Sequence, residues 1–142
     1  MLKGMAHPPP SGSRLVATRV LVVDDDFDSA EVVSVILTRE GCEVRVGLNA
    51  QEALSIVASF TPEIALLDIG LPGSDGYELL AALQAIPALG TCRYVAVTGY
   101  DSPEARRQSR DAGFSAHLVK PVPIATLLGA IEGVKLSGTD NG

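Results

Sequence analysis

Four apolar runs in this sequence stop at residues able to do chemistry. Val20-Leu21-Val22-Val23 ends at Asp24, Asp25 and Asp26, and Ile64-Ala65-Leu66-Leu67 ends at Asp68. Tyr94-Val95-Ala96-Val97 ends at Thr98, and Ala116-His117-Leu118-Val119 ends at Lys120. Three adjacent carboxylates repel one another, since two unit charges about 4 Å apart cost roughly 4 kcal/mol at an effective dielectric of 20. A positive partner is therefore expected beside them, most simply a divalent cation. Each residue alone has an ordinary structural reading: a post-strand Asp caps a helix, a Thr satisfies a turn, a Lys is solvated. Together they form a carboxylate pocket with a hydroxyl and an ammonium on its rim, which capping does not account for. That set suits phosphoryl transfer to a carboxylate. Asp68 is the expected nucleophile, with Mg²⁺ (or Mn²⁺) making phosphorus less repulsive to an anion. Mg²⁺ takes few protein carboxylates, completing its shell with water and phosphate oxygens. Asp25 is the expected direct ligand and Asp24 binds through water, while Lys120 and Thr98 take the other phosphoryl oxygens.

These residues share one site only if the elements bring the run ends to one edge. Val20–Val23 reads as a strand buried on both faces, as in the middle of a parallel sheet. Asp28 with Glu31 predicts an N-cap for a first helix ending near Glu40, with Gly41 as its C′ residue. Glu43–Val46 is a short second strand, and Asn49 with Glu52 repeats the cap signal. Pro62 precedes the third strand, and the loop 71–76 leads into a helix over about Tyr77–Ile86. Ser102-Pro103 opens a fourth helix that closes at Ala112-Gly113. A fifth helix covers about Ile124–Leu136. Five β-α units predict a doubly wound α/β domain with a largely parallel sheet and helices on both faces. Such sheets bind ligands outside the carboxyl ends of their strands.

Composition narrows the function classes. The chain has 142 residues, enough for one domain with a substantial core, and a net charge of −6. That charge argues against general nucleic-acid or anionic-membrane binding. No apolar run approaches the roughly 20 residues of a membrane span, and no secretory h-region is visible. Cys42 and Cys92 lack metal or redox spacing and read as small buried hydrophobes in a reducing cytoplasm. Residues 1–18, with Pro8-Pro9-Pro10, read as a flexible tail, 19–136 as the domain, and 137–142 as a second tail.

The motifs Val22-Val23-Asp24-Asp25, Asp68-Ile69-Gly70-Leu71-Pro72-Gly73, Val97-Thr98-Gly99 and Lys120-Pro121 resemble the receiver domains of two-component response regulators. The resemblance runs from about Arg19 to Leu136 and includes the spacings from Asp68 to Thr98 and Lys120. It implies a flavodoxin-like five-stranded sheet in the order 2-1-3-4-5. It also implies that Asp68 is phosphorylated from a histidine kinase or a histidine phosphotransfer protein. Asp24 and Asp25 would form the acidic pair, and the backbone carbonyl of Gly70 would join Asp68 as a metal ligand. Thr98 would turn toward the phosphoryl group and Lys120 would pair with it, with a Lys120–Pro121 bond that is often cis. The family's switch residue, commonly aromatic, is His117 here. Gly70 opens the site to water while Tyr100 partly covers it. Asp26 is either a supporting acid of the site or solvated.

The resemblance extends to stand-alone receivers and to those of hybrid sensor kinases, so the expected role is a cytoplasmic phosphoacceptor and not an enzyme. Its downstream protein partner is unspecified. Val32 and Val35 widen the apolar arc of the first helix beyond what one buried face needs. They either dock on a phosphotransfer partner or pad the core. Arg106, Arg107 and Arg110 make the fourth helix polar, either as a solvated face or as a site for an acidic partner. Two alternatives use the same residues. One is an interaction module that works without phosphorylation. The other is a haloacid-dehalogenase-type phosphatase built on Asp24-x-Asp26. A flavin site fits poorly, because a phosphate would lie beside unscreened carboxylates.

Overall fold

The computed structural model describes residues 15–69, 76–99 and 101–140, the last five as backbone only. Five strands alternate with five helices: β1 (Arg19–Val23), α1 (Phe27–Arg39), β2 (Glu43–Gly47), α2 (Ala50–Ile56) and β3 (Ile64–Asp68). There follow α3 (Gly76–Gln84), a 3-10 turn (Pro87–Leu89), β4 (Arg93–Thr98), α4 (Pro103–Ala112), β5 (Ala116–Val119) and α5 (Ile124–Asp140). All pairings are parallel and the strand order is β2-β1-β3-β4-β5, as the resemblance implied.

Strand alternation builds two cores from one sheet. Leu21, Val23, Ala65, Leu67 and Ala96 point to one face and pack with Leu79, Leu80 and Leu83 of α3. Val20, Val22, Ile64, Leu66 and Val95 point to the other, where they meet Ala30 and Leu37 of α1 and Leu127, Ile131 and Val134 of α5. Every residue of β3 is buried, whereas the edge strand β2 alternates in exposure. That contrast is what a strand enclosed by helices on both sides and one at the margin should show.

Local signals set most element ends. Asn49 caps α2 by accepting from the Glu52 amide at 2.8 Å, and the Glu52 carboxylate accepts from the Leu48 amide at 2.7 Å. Ser102 caps α4 by accepting from the Ala105 amide, and Gly113 closes that helix at φ 120°. The cap of α1 differs from expectation. Asp26, not Asp28, accepts from the Asp28 amide at 3.1 Å and from the Ser29 hydroxyl at 2.8 Å. The helix therefore begins two residues earlier than expected, at Phe27, and Asp28 lies inside its first turn. Helix α3 ends at Gln84, because the chain turns through Ile86 into the Pro87–Leu89 turn instead of continuing. Helix α5 runs on to Asp140, four residues past its expected end. At the other end, Leu15 and Thr18 are fully buried, so the packed fold starts before Arg19.

Candidate functional site

Strand register carries the chemistry-bearing residues to one edge. Val23 of β1 pairs with Leu67 of β3, so the next residues, Asp24 and Asp68, lie side by side. Asp68 in turn pairs with Val97 of β4, and Thr98 pairs with Val119, the residue before Lys120. The expected convergence of four strand ends is present.

Lys120 holds the centre. Its Nζ donates to Asp24 Oδ2 at 2.9 Å and to Asp68 Oδ2 at 3.0 Å. Its side chain is 30% exposed, and the two carboxylates are 10% exposed each. Burial works against the ammonium, but hydrogen bonds to Asp24 and Asp68 outweigh it and hold the Lys120 pKa above its ordinary value. Burial pushes the Asp24 carboxyl above the usual carboxylate range, although the Asp26 amide and Lys120 both favour its ionised form. Asp24 is further fixed by its own backbone: its amide donates to the Gly47 carbonyl, and its Oδ1 accepts from the Asp26 amide at 3.0 Å. Thr98 is buried at the end of β4, and its carbonyl accepts from the Lys120 amide at 2.8 Å. The Lys120–Pro121 peptide is cis.

Asp24, Asp25 and Asp68 present carboxylate oxygens that all lie within 4.8 Å of one another, with Asp25 exposed and the other two buried. Hard oxygen donors at this separation, with one open side, fit Mg²⁺ or Mn²⁺. One ammonium opposite three carboxylates also leaves the cluster net negative. Asp26 is not part of this cluster. It is exposed and spent on capping α1, where the Ser29 hydroxyl holds its carboxyl below the usual range. That role removes the second acid on which a phosphatase reading of Asp24-x-Asp26 depends. Gly70 and Tyr100 lie outside the described residues, as does the loop 71–75.

His117 sits in β5, half-buried, with Nδ1 2.9 Å from the Ser109 hydroxyl. Ser109 is the buried residue of α4, and its hydroxyl also reaches the Arg106 carbonyl at 3.1 Å. A polar contact thus ties His117 of β5 to the helix beside it. Sequence periodicity could not reveal Ser109, which lies on an otherwise polar helix with no apolar stripe to mark its inner face. Arg106 is paired with Asp101 at 2.7 Å, in an exposed contact of the kind that contributes little to stability. Val32 and Val35 are 58% and 45% exposed, so they do not pad the core. Both thiols are buried, and burial raises Cys42 and Cys92 to about 11, in keeping with inert packing groups.

A doubly wound parallel sheet whose strand ends gather an acid cluster, a hydroxyl and a lysine defines a class of α/β protein with its polar site at the carboxyl edge of the sheet. Within that class, residues 20–132 match the response regulator receiver domain, and the chain belongs to that family. It is 34% identical over 113 residues to an uncharacterized 14.6 kDa protein of Leptolyngbya boryana, covering 80% of this chain and 86% of that one. It is 28% identical over 114 residues to sporulation initiation phosphotransferase F of Bacillus subtilis, covering 80% and 90%. Among solved structures, a CheY-like response regulator receiver domain protein from Methanospirillum hungatei superposes with a TM-score of 0.80 at 33% identity. That match covers 89% of this chain and 99% of the other. The chain has a phosphoacceptor role in two-component signalling. No helix among the described residues is long and apolar enough to cross a membrane.

Proposed function

We propose that Asp68 is the phosphoacceptor, charged from a phosphohistidine on a histidine kinase or a histidine phosphotransfer protein. The observation that carries this reading is the Asp68 carboxylate, buried at the end of β3 and held by Lys120 beside Asp24. An Asp68 oxygen attacks phosphorus, the P–N bond of the donor breaks, and its electron pair returns to the imidazole, which takes up a proton. Asp24, Asp25 and Asp68 would hold Mg²⁺ or Mn²⁺, with the Gly70 carbonyl as a further ligand. The bound ion would supply positive charge where the phosphoryl oxygens gather. Lys120 trades its two carboxylate contacts for a phosphoryl oxygen, and the Thr98 hydroxyl donates to another. The chain then acts as a signalling phosphoacceptor in the cytoplasm and not as an enzyme with a separate substrate. Any turnover is self-catalysed phosphorylation and dephosphorylation.

Phosphorylation alters partner binding through the β4–β5 side of the sheet. Thr98 moves toward the phosphoryl group, and His117, linked to α4 through Ser109, transmits that change to the surface. The donor docks on α1, where exposed Val32 and Val35 flank the acidic edge. The similarity to a sporulation phosphotransferase supports a place within a phosphorelay.

Incubation with acetyl phosphate and Mg²⁺ tests the acceptor. Mass spectrometry should find one added phosphoryl group, lost in Asp68→Asn. Label retained in that variant, or mapped to Asp24, would overturn the assignment. A folded Val32→Ser/Val35→Ser double variant should slow transfer from a phosphotransfer protein while leaving acetyl phosphate labelling unchanged. Equal transfer rates would remove the docking role.

A further inference from the structure

At the edge of the sheet away from the acid cluster, a cavity of about 190 Å³ opens where α3 and α4 end. Gln84 closes α3 there, Gly113 caps α4, and Arg93 and Tyr94 begin β4. All strands are parallel, so this cavity lies at their amino ends, at the other end of β4 from Thr98.

The walls hold donors that nothing satisfies. Tyr94 is 4% exposed, yet its hydroxyl has no hydrogen-bond partner among the described residues, and the Nε of Arg93 is buried in the same condition. Buried donors of this kind are rare, because each gives up its bond to water. Beside the hydroxyl stands the Cys92 thiol, a weak acceptor whose own hydrogen goes to the Arg93 carbonyl at 3.6 Å. Burial pushes the Tyr94 phenol above its ordinary range, so it keeps its proton to donate. Arg93 forms no ion pair among the described residues. The neighbouring carbonyls, by contrast, are in use. Leu89 accepts from the Cys92 amide at 3.1 Å, Tyr94 from the Ser115 amide at 2.7 Å, and Arg110 from the Gly113 amide at 3.1 Å. A Cβ at Gly113 would lie 2.5 Å from the Gln84 Nε2, so the bare backbone there lets that amide lean over the rim as a further donor.

A surplus of donors calls for a ligand rich in acceptors, and the single positive charge of Arg93 is matched by a single negative one. A guanidinium presents Nε–H and a neighbouring Nη–H as a fork that fits the two oxygens of a carboxylate. A phosphate dianion would bring a second negative charge and more oxygens than these donors can take. The volume lies below the roughly 300–1,000 Å³ of sites for drug-sized molecules, which restricts the ligand to a short chain. We propose that this cavity binds a short-chain monocarboxylate, with its oxygens on Arg93 and the Tyr94 hydroxyl and its chain against Leu89. The site is separate from the acid cluster, and its occupancy needs neither metal nor phosphorylation.

Butyrate, titrated into the full nitrogen-labelled chain without metal and followed by proton–nitrogen NMR, tests this against sodium chloride at equal ionic strength. Saturable shifts should appear at the Arg93 Nε–H and at the Gly113 and Ser115 amides, while the Asp25 amide stays in place. Tyr94→Phe keeps the ring and removes only an unpaired hydroxyl, so the chain should fold and bind butyrate about fivefold more weakly, the effect of one hydrogen bond. Arg93→Met should weaken binding about tenfold or more. The Tyr94→Phe comparison decides the matter even where Arg93→Met does not fold. Shifts that never saturate would leave the cavity to water and overturn the proposal. Equal affinity in Tyr94→Phe, or shifts that chloride reproduces, would overturn it too. Inorganic phosphate binding more tightly than butyrate would overturn the carboxylate class.

Discussion

Lys120→Met isolates what the ammonium does before any phosphoryl group arrives. The substitution keeps the apolar stem and removes one charge that lies 2.9 Å from Asp24 and 3.0 Å from Asp68. Each contact has a gross attraction of about 5.5 kcal/mol at an effective dielectric of 20. Most of that is offset by the desolvation of three ions, and removing one partner of a buried pair costs about 3–5 kcal/mol. Lys120 is 30% exposed, which places the expected loss at the lower end, about 3 kcal/mol in the metal-free protein. With saturating MgCl₂ the ion takes over as counter-charge, and the gap should fall below about 1 kcal/mol. The same substitution removes a cation that competes for the acids, so Mg²⁺ should bind about tenfold more tightly, equivalent to about 1.4 kcal/mol. Urea unfolding followed by circular dichroism, once with EDTA and once with MgCl₂, measures both values. An equal loss under the two conditions would refute the counter-charge argument, as would weaker Mg²⁺ binding by the variant.

Three further perturbations follow from particular contacts. A Cβ at Gly76 would lie 2.5 Å from the Ile69 Cα, a backbone atom next to Asp68. Gly76→Ala should therefore destabilise by about 1–3 kcal/mol in thermal melts, and it should also slow Asp68 labelling because the end of β3 must shift. Ser109→Ala removes the hydroxyl that meets His117 Nδ1, at a cost of about 1 kcal/mol, and hydrogen exchange should speed up in α4 while that of β1 stays unchanged. Cys42 and Cys92, held near 11 by burial, should react with a disulfide reagent at pH 8 only as fast as the chain unfolds. Addition of urea should release both thiols, and rapid reaction in the native state would contradict their placement.

The sheet and the edge it presents were legible because each strand is a continuous apolar run that stops at a polar residue. Two-sided burial demands such a run, and the C-terminal edge of a parallel sheet ends it. Asn49, Ser102 and Gly113 mark helix ends through their own backbone hydrogen bonding, so they too could be read locally. Other features depend on contacts between distant segments. The choice between Asp26 and Asp28 as the cap of α1 turned on where β1 releases the chain, since both residues have a suitable side chain. Ser109 reaches His117 across eight residues and a change of element. An apolar groove between α1 and α5 arises from how far apart two helices settle on one face of the sheet, which no periodicity encodes.

Geometry also resolves the repulsion that three consecutive carboxylates would otherwise suffer. Asp24 continues the alternation of Val20 and Val22 and points into the same groove as Val22, where Lys120 meets it. Asp26 turns back onto the first turn of α1, where the Asp28 amide and the Ser29 hydroxyl absorb its charge. Asp25 alone keeps an exposed carboxylate that still reaches the oxygens of Asp24 and Asp68. Each acid therefore has its own neutralising group or open water, and the cost estimated for close like charges is largely avoided. Lys120 places one positive charge against Asp24 and Asp68, and the exposed carboxylate of Asp25 leaves the open side of the cluster acidic.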